Sequence, residues 1–205
     1  MNMFCFQCQE TARGTGCTVK GVCGKEPQTA AYMDLLLYAV RGIAIVNRTL
    51  REKGTAHNEI DHFVLDALFC KITNANFDDE AIIVRIKKAF EIKNILVGTA
   101  KKRNIALPDM PEVAYFVSEE NYLAEAAEVG VLSEPNEDLR SLKQMVIYGV
   151  KGAAAYTEHA LNLGFEDHDI YAMIENALAE ISRSDISAEE LVSLVLNVGE
   201  CGVKA

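Results

Sequence analysis

The stretch Leu35-Leu-Leu-Tyr-Ala-Val-Arg-Gly-Ile-Ala-Ile-Val-Asn-Arg-Thr-Leu50 decides the fold class of this chain. Its apolar side chains recur every three or four residues, which is the spacing of one face of an α-helix. Pro27 suits the first turn of such a helix, and Gly54 suits its left-handed end. We therefore predict one long helix that begins at Pro27 and ends at Gly54. The helically spaced residues are Leu35, Tyr38, Ala39, Gly42, Ile45, Val46 and Leu50.

Helical spacing continues from this stretch to the end of the chain. Asp167 is placed to cap one helix, and Ser187-Ala-Glu-Glu190 is a capping box that opens the last. No alternation of strand length is obvious, so the predicted fold class is all-α. In the third helix the predicted inner face consists of Ile82, Ile83, Ile86, Ala89, Phe90 and Ile95. The further helices are predicted over Glu59–Thr73, Asp79–Lys102, Ser118–Glu128, Pro135–Leu163, Asp167–Arg183 and from Ser187 onward, with Pro108 and Pro111 breaking the pattern.

A shift of 110 residues aligns two helical segments without a gap, placing Tyr38–Ala44 over Tyr148–Ala154 and Gly42 over Gly152. Glycine inside a helix usually marks close helix packing, so the match favours two similar three-helix units. The alternative is that any two amphipathic helices can be slid into such agreement. The predicted division is a cysteine-rich loop (1–26), a first helical bundle (27–107) and a second helical bundle (108–205), which together form one domain.

Composition excludes several classes of function. The chain has 205 residues, a formal net charge of −10 and 50% hydrophobic residues, so it can bury a sizeable core. It has no block of Lys and Arg to contact phosphates, so we expect no nucleic-acid partner. The longest apolar run, Leu35–Val40, stops at Arg41, well short of a membrane span, and the first residues do not resemble a signal peptide. We expect a cytoplasmic protein without a membrane partner.

Four of the six cysteines fall in the pattern Cys5-x2-Cys8-x8-Cys17-x5-Cys23. In a reducing compartment such clusters are more often metal ligands or redox groups than structural disulfides. Four thiols match the number that a tetrahedral zinc site or an iron–sulfur cluster requires. Only the first pair has the short spacing of a zinc knuckle, and the pattern matches neither common ferredoxin spacing. Three interpretations stay open: a cubane cluster, structural zinc, or free or disulfide-bonded cysteines.

The residues between the cysteines suit a negatively charged group. Lys20 and Lys25 lie close to the thiols in sequence and are expected to offset their charge. Backbone N–H groups can approach the sulfur atoms where no side chain intervenes, and such hydrogen bonds stabilise an anionic cluster. The glycines in this loop are Gly14, Gly16, Gly21 and Gly24.

The other cysteines and the histidines are expected to lie outside any site. Cys70 follows Leu68 and Phe69 on a predicted helix, which favours a small buried hydrophobe. Cys201 lies beside two glycines near the last residue, and we expect it to be exposed and oxidisable in a chain of this length. The four histidines are expected at the surface or at helix ends; they are His57, His62, His159 and His168.

The N-terminal part of the chain resembles a known family. The matching segments are Phe4-Cys-Phe-Gln-Cys-Gln-Glu-Thr-Ala12, Gly14-Thr-Gly-Cys-Thr18, Gly21-Val-Cys-Gly-Lys25, Asp34-Leu-Leu36 and Tyr38-Ala-Val-Arg-Gly-Ile-Ala-Ile45. This series is similar to the N-terminus of the hybrid-cluster proteins, also called hydroxylamine reductases. The resemblance covers the whole chain and is sharpest before Asn47.

The resemblance implies that Cys5, Cys8, Cys17 and Cys23 are thiolate ligands of a [4Fe–4S] cluster and not catalytic residues. It implies an electron-transfer domain of an oxidoreductase, which receives electrons from a donor protein and passes them to a hybrid iron–sulfur–oxygen cluster where hydroxylamine or nitric oxide is reduced. Family members hold that second cluster in later domains. We therefore expect the N-terminal domain of a longer enzyme, or a naturally short homologue. The rival hypothesis is a zinc-stapled helical interaction module without a redox role.

Overall fold

The computed structural model describes residues 3–55, 57–72 and 76–205. Within these ranges the chain forms α-helices and short 3-10 turns and no β-strand, which confirms the all-α prediction. The helices are α1 (Pro27–Glu52), α2 (Asn58–Cys70), α3 (Asp79–Lys102), α4 (Pro111–Ala114), α5 (Tyr122–Val129), α6 (Glu137–Asn162), α7 (His168–Glu180) and α8 (Ala188–Lys204).

Helix α1 lies at the centre of the fold. Pro27 occupies its first turn, and Gly54 follows its end with a φ of 74°, as predicted. The helix packs against α2, α3, α4, α5 and α7, so it is buried on almost every side. By length and composition alone α1 could cross a membrane, but most of the residues in its apolar stretch are buried inside the protein. That burial is the property of a core helix.

The helices of the two predicted bundles share one hydrophobic core. Helix α6 packs against α8 and α7 and also against α2, while α7 lies on α1. Contacts therefore cross the predicted boundary between residues 107 and 108. The division of the chain into two bundles stays a prediction.

A buried polar network reinforces these contacts between α1, α2 and α7. The Arg51 guanidinium lies 2.6 Å from an Asp61 carboxylate oxygen and 2.9 Å from one of Glu175. Asn47 donates from its amide to Glu175 at 2.6 Å. Burial first, and then the neighbouring Asp61 charge, raise the pKa of Glu175 above its usual range. One arginine cannot fully compensate two buried carboxylates, so ionisation of the second is unfavourable.

Several helix ends match the sequence signals. Helix α3 has the predicted bounds, and the Asp78 side chain accepts a hydrogen bond from the N–H of Ala81. The Asp167 side chain accepts from the N–H of Asp169 at the start of α7. Ser187 and Glu190 form the predicted capping box of α8.

Other helix bounds differ from the predictions. Pro111 begins the short helix α4, because proline has no N–H to lose in the first turn. Helix α2 ends at Cys70, and the predicted end at Thr73 lies outside the described residues. Helix α7 ends at Glu180 and not near Arg183.

Two predicted packing positions are wrong. Ile95 is 65% exposed, because the buried stripe of α3 continues through Lys93 and Leu96 instead. Lys93 fits there because its ammonium donates to the backbone carbonyls of Glu112 and Tyr115. Gly152, matched to Gly42 in the proposed repeat, faces open space, whereas a Cβ on Gly42 would lie 2.5 Å from the Glu112 carbonyl oxygen.

Candidate functional site: the cysteine loop

The cysteine loop is closed on itself by a backbone bridge and is attached to the helical body by a small apolar cluster. The backbones of Cys5 and Cys17 pair in an antiparallel bridge, with N–H to O distances of 3.1 Å and 2.8 Å. Met3, Cys17 and Ala30 form a small apolar cluster apart from the main core. Since Ala30 lies in the first turn of α1, this cluster holds the loop against the start of that helix.

Cys17 has the surroundings of a thiolate. Its sulfur accepts a hydrogen bond from the N–H of Ala12 at 3.4 Å, and the Thr11 hydroxyl lies 3.7 Å away. Burial opposes ionisation, but the backbone N–H groups of Ala12 and Val22, the Thr11 hydroxyl and the Lys25 ammonium together lower the pKa of the Cys17 thiol. A thiolate is the form that binds metals.

Gly21 makes room for the Cys23 side chain. A Cβ added to Gly21 would stand 3.0 Å from the Cys23 sulfur and 3.1 Å from Lys25 Cβ. Gly21 and Lys25 also close the turn, because the Gly21 N–H donates to the Lys25 carbonyl at 2.8 Å. The absence of a side chain at position 21 therefore sets where Cys23 and Lys25 can lie.

The structure places all four predicted ligands in one loop. Cys17 is buried, and Cys5, Cys8 and Cys23 are half-buried. Cys8 lines an open groove of about 480 Å³ together with Met145 and other side chains. Within the described ranges, no three side chains of the Cys, His, Asp and Glu types stand close enough together to hold a metal ion. The assignment of these cysteines as ligands stays a prediction.

Three buried lysines surround this loop, two of which the sequence analysis did not identify. Lys25, which the sequence predicts to offset the thiolate charge, is buried, and Lys71 at the end of α2 and Lys151 in α6 are equally buried. The Lys151 ammonium donates to the Gln7 side-chain oxygen at 2.5 Å. By contrast, Lys20 is exposed and forms an ion pair with Glu26. Periodicity could not reveal Lys71 and Lys151, since an isolated lysine in a helix is usually a surface residue.

A sequence profile described as the Prismane/CO dehydrogenase family matches residues 3–205. The chain belongs to this family. The resemblance that the cysteine motif indicated is thereby confirmed.

The relatives of this chain include proteins that are named hydroxylamine reductase. The one from Bacteroides thetaiotaomicron is 53% identical over all of the chain, and the one from Bacteroides fragilis is 50% identical over all of it. One from Desulfitobacterium hafniense is 45% identical over 99% of the chain. The chain spans 37% of the length of the first two relatives and 38% of the third.

The buried lysines beside the cysteine loop of this family member suit an anionic group. The Lys71 ammonium has no hydrogen-bond partner among the described residues, and the nearest Asp34 carboxylate oxygen is 3.9 Å away. Burial lowers the pKa of Lys71 to about 8 although Asp34 opposes it. Burial, and then the charges of Lys71 and Lys25, lower the pKa of Lys151 to about 7. Asp34 is one carboxylate among three buried lysines, and a cluster held by four thiolates would supply further negative charge.

The remaining candidates lie away from the loop. Cys70 is buried, as predicted, and its sulfur accepts from the Asn76 amide at 3.2 Å. The expectation for Cys201 is wrong, because α8 packs against α6 and α7 and buries it to 1% exposure. The histidines are partly or fully exposed as predicted; His57 precedes α2, His62 contacts Glu166, and His159 and His168 lie at the surface.

Proposed function

We propose that this chain is the electron-transfer domain of a hydroxylamine reductase, in which Cys5, Cys8, Cys17 and Cys23 hold a [4Fe–4S] cluster. The name hydroxylamine reductase belongs to relatives of which the chain covers 37%. The observation that carries the proposal is the loop itself. Four thiols lie on one loop, beside three buried lysines that interact with the single carboxylate of Asp34.

Each cysteine has a support in this arrangement. The backbone bridge holds Cys5 and Cys17 side by side, and the Ala12 N–H donates to the Cys17 sulfur. Gly21 leaves space for the Cys23 sulfur, and Cys8 stands at the open groove. Hydrogen bonds to ligand sulfur atoms and partial exclusion of water are the protein's means of setting a cluster's potential. When bound, the cluster supplies transfer of one electron at a time.

The proposal assigns no catalytic residue to this chain. Reduction of hydroxylamine to ammonia requires two electrons, whereas a cubane carries one at a time. In this proposal the cluster held by the four thiols therefore supplies electrons, and hydroxylamine or nitric oxide is reduced at a hybrid cluster in further domains of the enzyme. The partners that the proposal requires are an electron donor protein and those further domains. The thiol-rich loop suits the reducing cytoplasm, where we place the protein.

Anaerobic purification tests this function. We expect a brown protein with about four irons and four sulfides per chain and an EPR signal that appears on reduction. Stoichiometric zinc without colour would refute the electron-transfer function and support the zinc-stapled module. Free thiols without metal after anaerobic reconstitution would refute both.

A further inference from the structure

The buried charges around the cysteine loop are unbalanced. Lys25, Lys71 and Lys151 are each no more than 3% exposed, while Asp34 is the carboxylate whose charge interacts with all three. Burying an ammonium group without a close counter-charge costs several kcal/mol. Three such groups around one carboxylate therefore favour the binding of a further anion beside them.

Among the described residues, neither Lys71 nor Lys151 has a carboxylate within hydrogen-bond distance of its ammonium group. The 3.9 Å separation between the Lys71 ammonium and Asp34 exceeds hydrogen-bond length. Lys151 donates to the neutral amide oxygen of Gln7, a residue that lies between Cys5 and Cys8. Both ammonium groups interact electrostatically with Cys5. The position of Lys71 at the end of α2 favours a cation, but an exposed ammonium would serve a helix end equally well.

We propose that Lys71 and Lys151 are charge-compensating residues of the cysteine loop, which stabilise an iron–sulfur cluster in its more negative, reduced state and so raise its reduction potential. This inference rests on the proposed function. The four thiolates make the assembly anionic, and reduction adds one more negative charge. A nearby ammonium group favours that added charge, and the effect is large where water is excluded.

Asp34 supplies a test of sign. Its carboxylate interacts with all three lysines and accepts a hydrogen bond from the backbone N–H of Val131. Replacing it with the isosteric asparagine removes one negative charge and keeps an acceptor. The substitution should therefore raise the potential, whereas loss of a lysine charge should lower it. A purely structural role for these residues would not give opposite shifts.

The experiment is a redox titration of the anaerobically reconstituted chain, followed by EPR. Lys71→Met and Lys151→Met should each lower the ratio of reduced to oxidised cluster at a fixed potential on the order of tenfold, which is about 59 mV for one electron. Lys88→Met, at an exposed site on α3, is the matched control and should leave the titration unchanged. Lys151→Arg should keep most of the wild-type potential.

The possible outcomes separate the two claims. Wild-type protein without iron would refute the proposed function. If the cluster is intact and has the same reduction potential in the wild type, in both methionine variants and in Asp34→Asn, this result refutes the role of the lysines but not the proposed function. Loss of the cluster in Lys151→Met but not in Lys151→Arg, with unchanged far-UV circular dichroism, would support that role. If the methionine variants do not fold, Asp34→Asn still decides, because a lowered or unchanged potential contradicts the proposal.

Discussion

Alanine at Gly42 should destabilise the protein, because this glycine is where α4 approaches α1. A Cβ there would stand 2.5 Å from the Glu112 carbonyl oxygen and 2.9 Å from Lys93 Cδ. Forcing extra volume into a packed site costs about 1–3 kcal/mol. Displacing the Glu112 carbonyl also weakens the hydrogen bond from the Lys93 ammonium, and such charged bonds contribute about 1.5–3 kcal/mol.

Gly152 is the matched control. It lies inside α6, and a Cβ there would meet nothing within 4 Å. Replacing an exposed helical glycine with alanine stabilises a helix by about 1 kcal/mol. The same gain offsets part of the cost at Gly42, so Gly42→Ala should lose about 1–4 kcal/mol of unfolding free energy.

Urea denaturation and thermal denaturation, both followed by far-UV circular dichroism, measure both variants. For a chain of this size 1 kcal/mol shifts the Tm by about 2–4 °C, so Gly42→Ala should melt several degrees below the wild type and Gly152→Ala slightly above it. Equal shifts of the same sign in the two variants would refute the reasoning. The two glycines would then occupy equivalent environments, as the sequence repeat suggested.

Three further predictions concern single side chains. Gly21→Ala should lower iron content without changing the far-UV spectrum, because its Cβ displaces the Cys23 sulfur; unchanged iron per chain would contradict this. Because the folded state raises the pKa of Glu175, the contribution of this group to the free energy of unfolding is fully present below the usual carboxyl pKa. That contribution is lost as the pH rises through the raised pKa. Asp61→Asn should reduce this loss, as measured by urea midpoints from acidic to alkaline pH, and an unchanged slope would refute the coupling. Lys93→Met should cost about 1–3 kcal/mol by leaving buried carbonyls unpaired, and Lys88→Met at an exposed position should cost almost nothing; equal urea midpoints would contradict the assignment.

Local signals predicted much of the helical structure. The bounds of α3 and the capping box at Ser187 follow from interactions between residues three or four positions apart, which a sequence shows directly. The sequence pattern wrongly predicts Ile95 to be buried, because an apolar residue one position away from the buried face cannot be told by its type from one on that face. Lys93 occupies the buried position because backbone carbonyls of a segment distant in sequence accept hydrogen bonds from its ammonium group.

The candidate site divides in the same way. The four clustered cysteines are visible in the sequence because they lie within one short loop. Lys71 and Lys151 are far from that loop in sequence, and only the packing of α2 and α6 brings their ammonium groups to it. Cys201 was expected to be exposed because its neighbours are glycines, but burial depends on α6 and α7, which no local pattern specifies.

The assignment of four ligands and two bystanders is tested most directly by replacing each of the six cysteines with serine and recording the EPR signal of the reduced, anaerobically reconstituted chain. We expect the wild-type cluster signal to disappear or change in the variants of Cys5, Cys8, Cys17 and Cys23. It should persist in the variants of Cys70 and Cys201, which lie in the helical core. An unchanged signal in any of the first four, or loss of the signal in a folded Cys70 or Cys201 variant, would contradict the assignment.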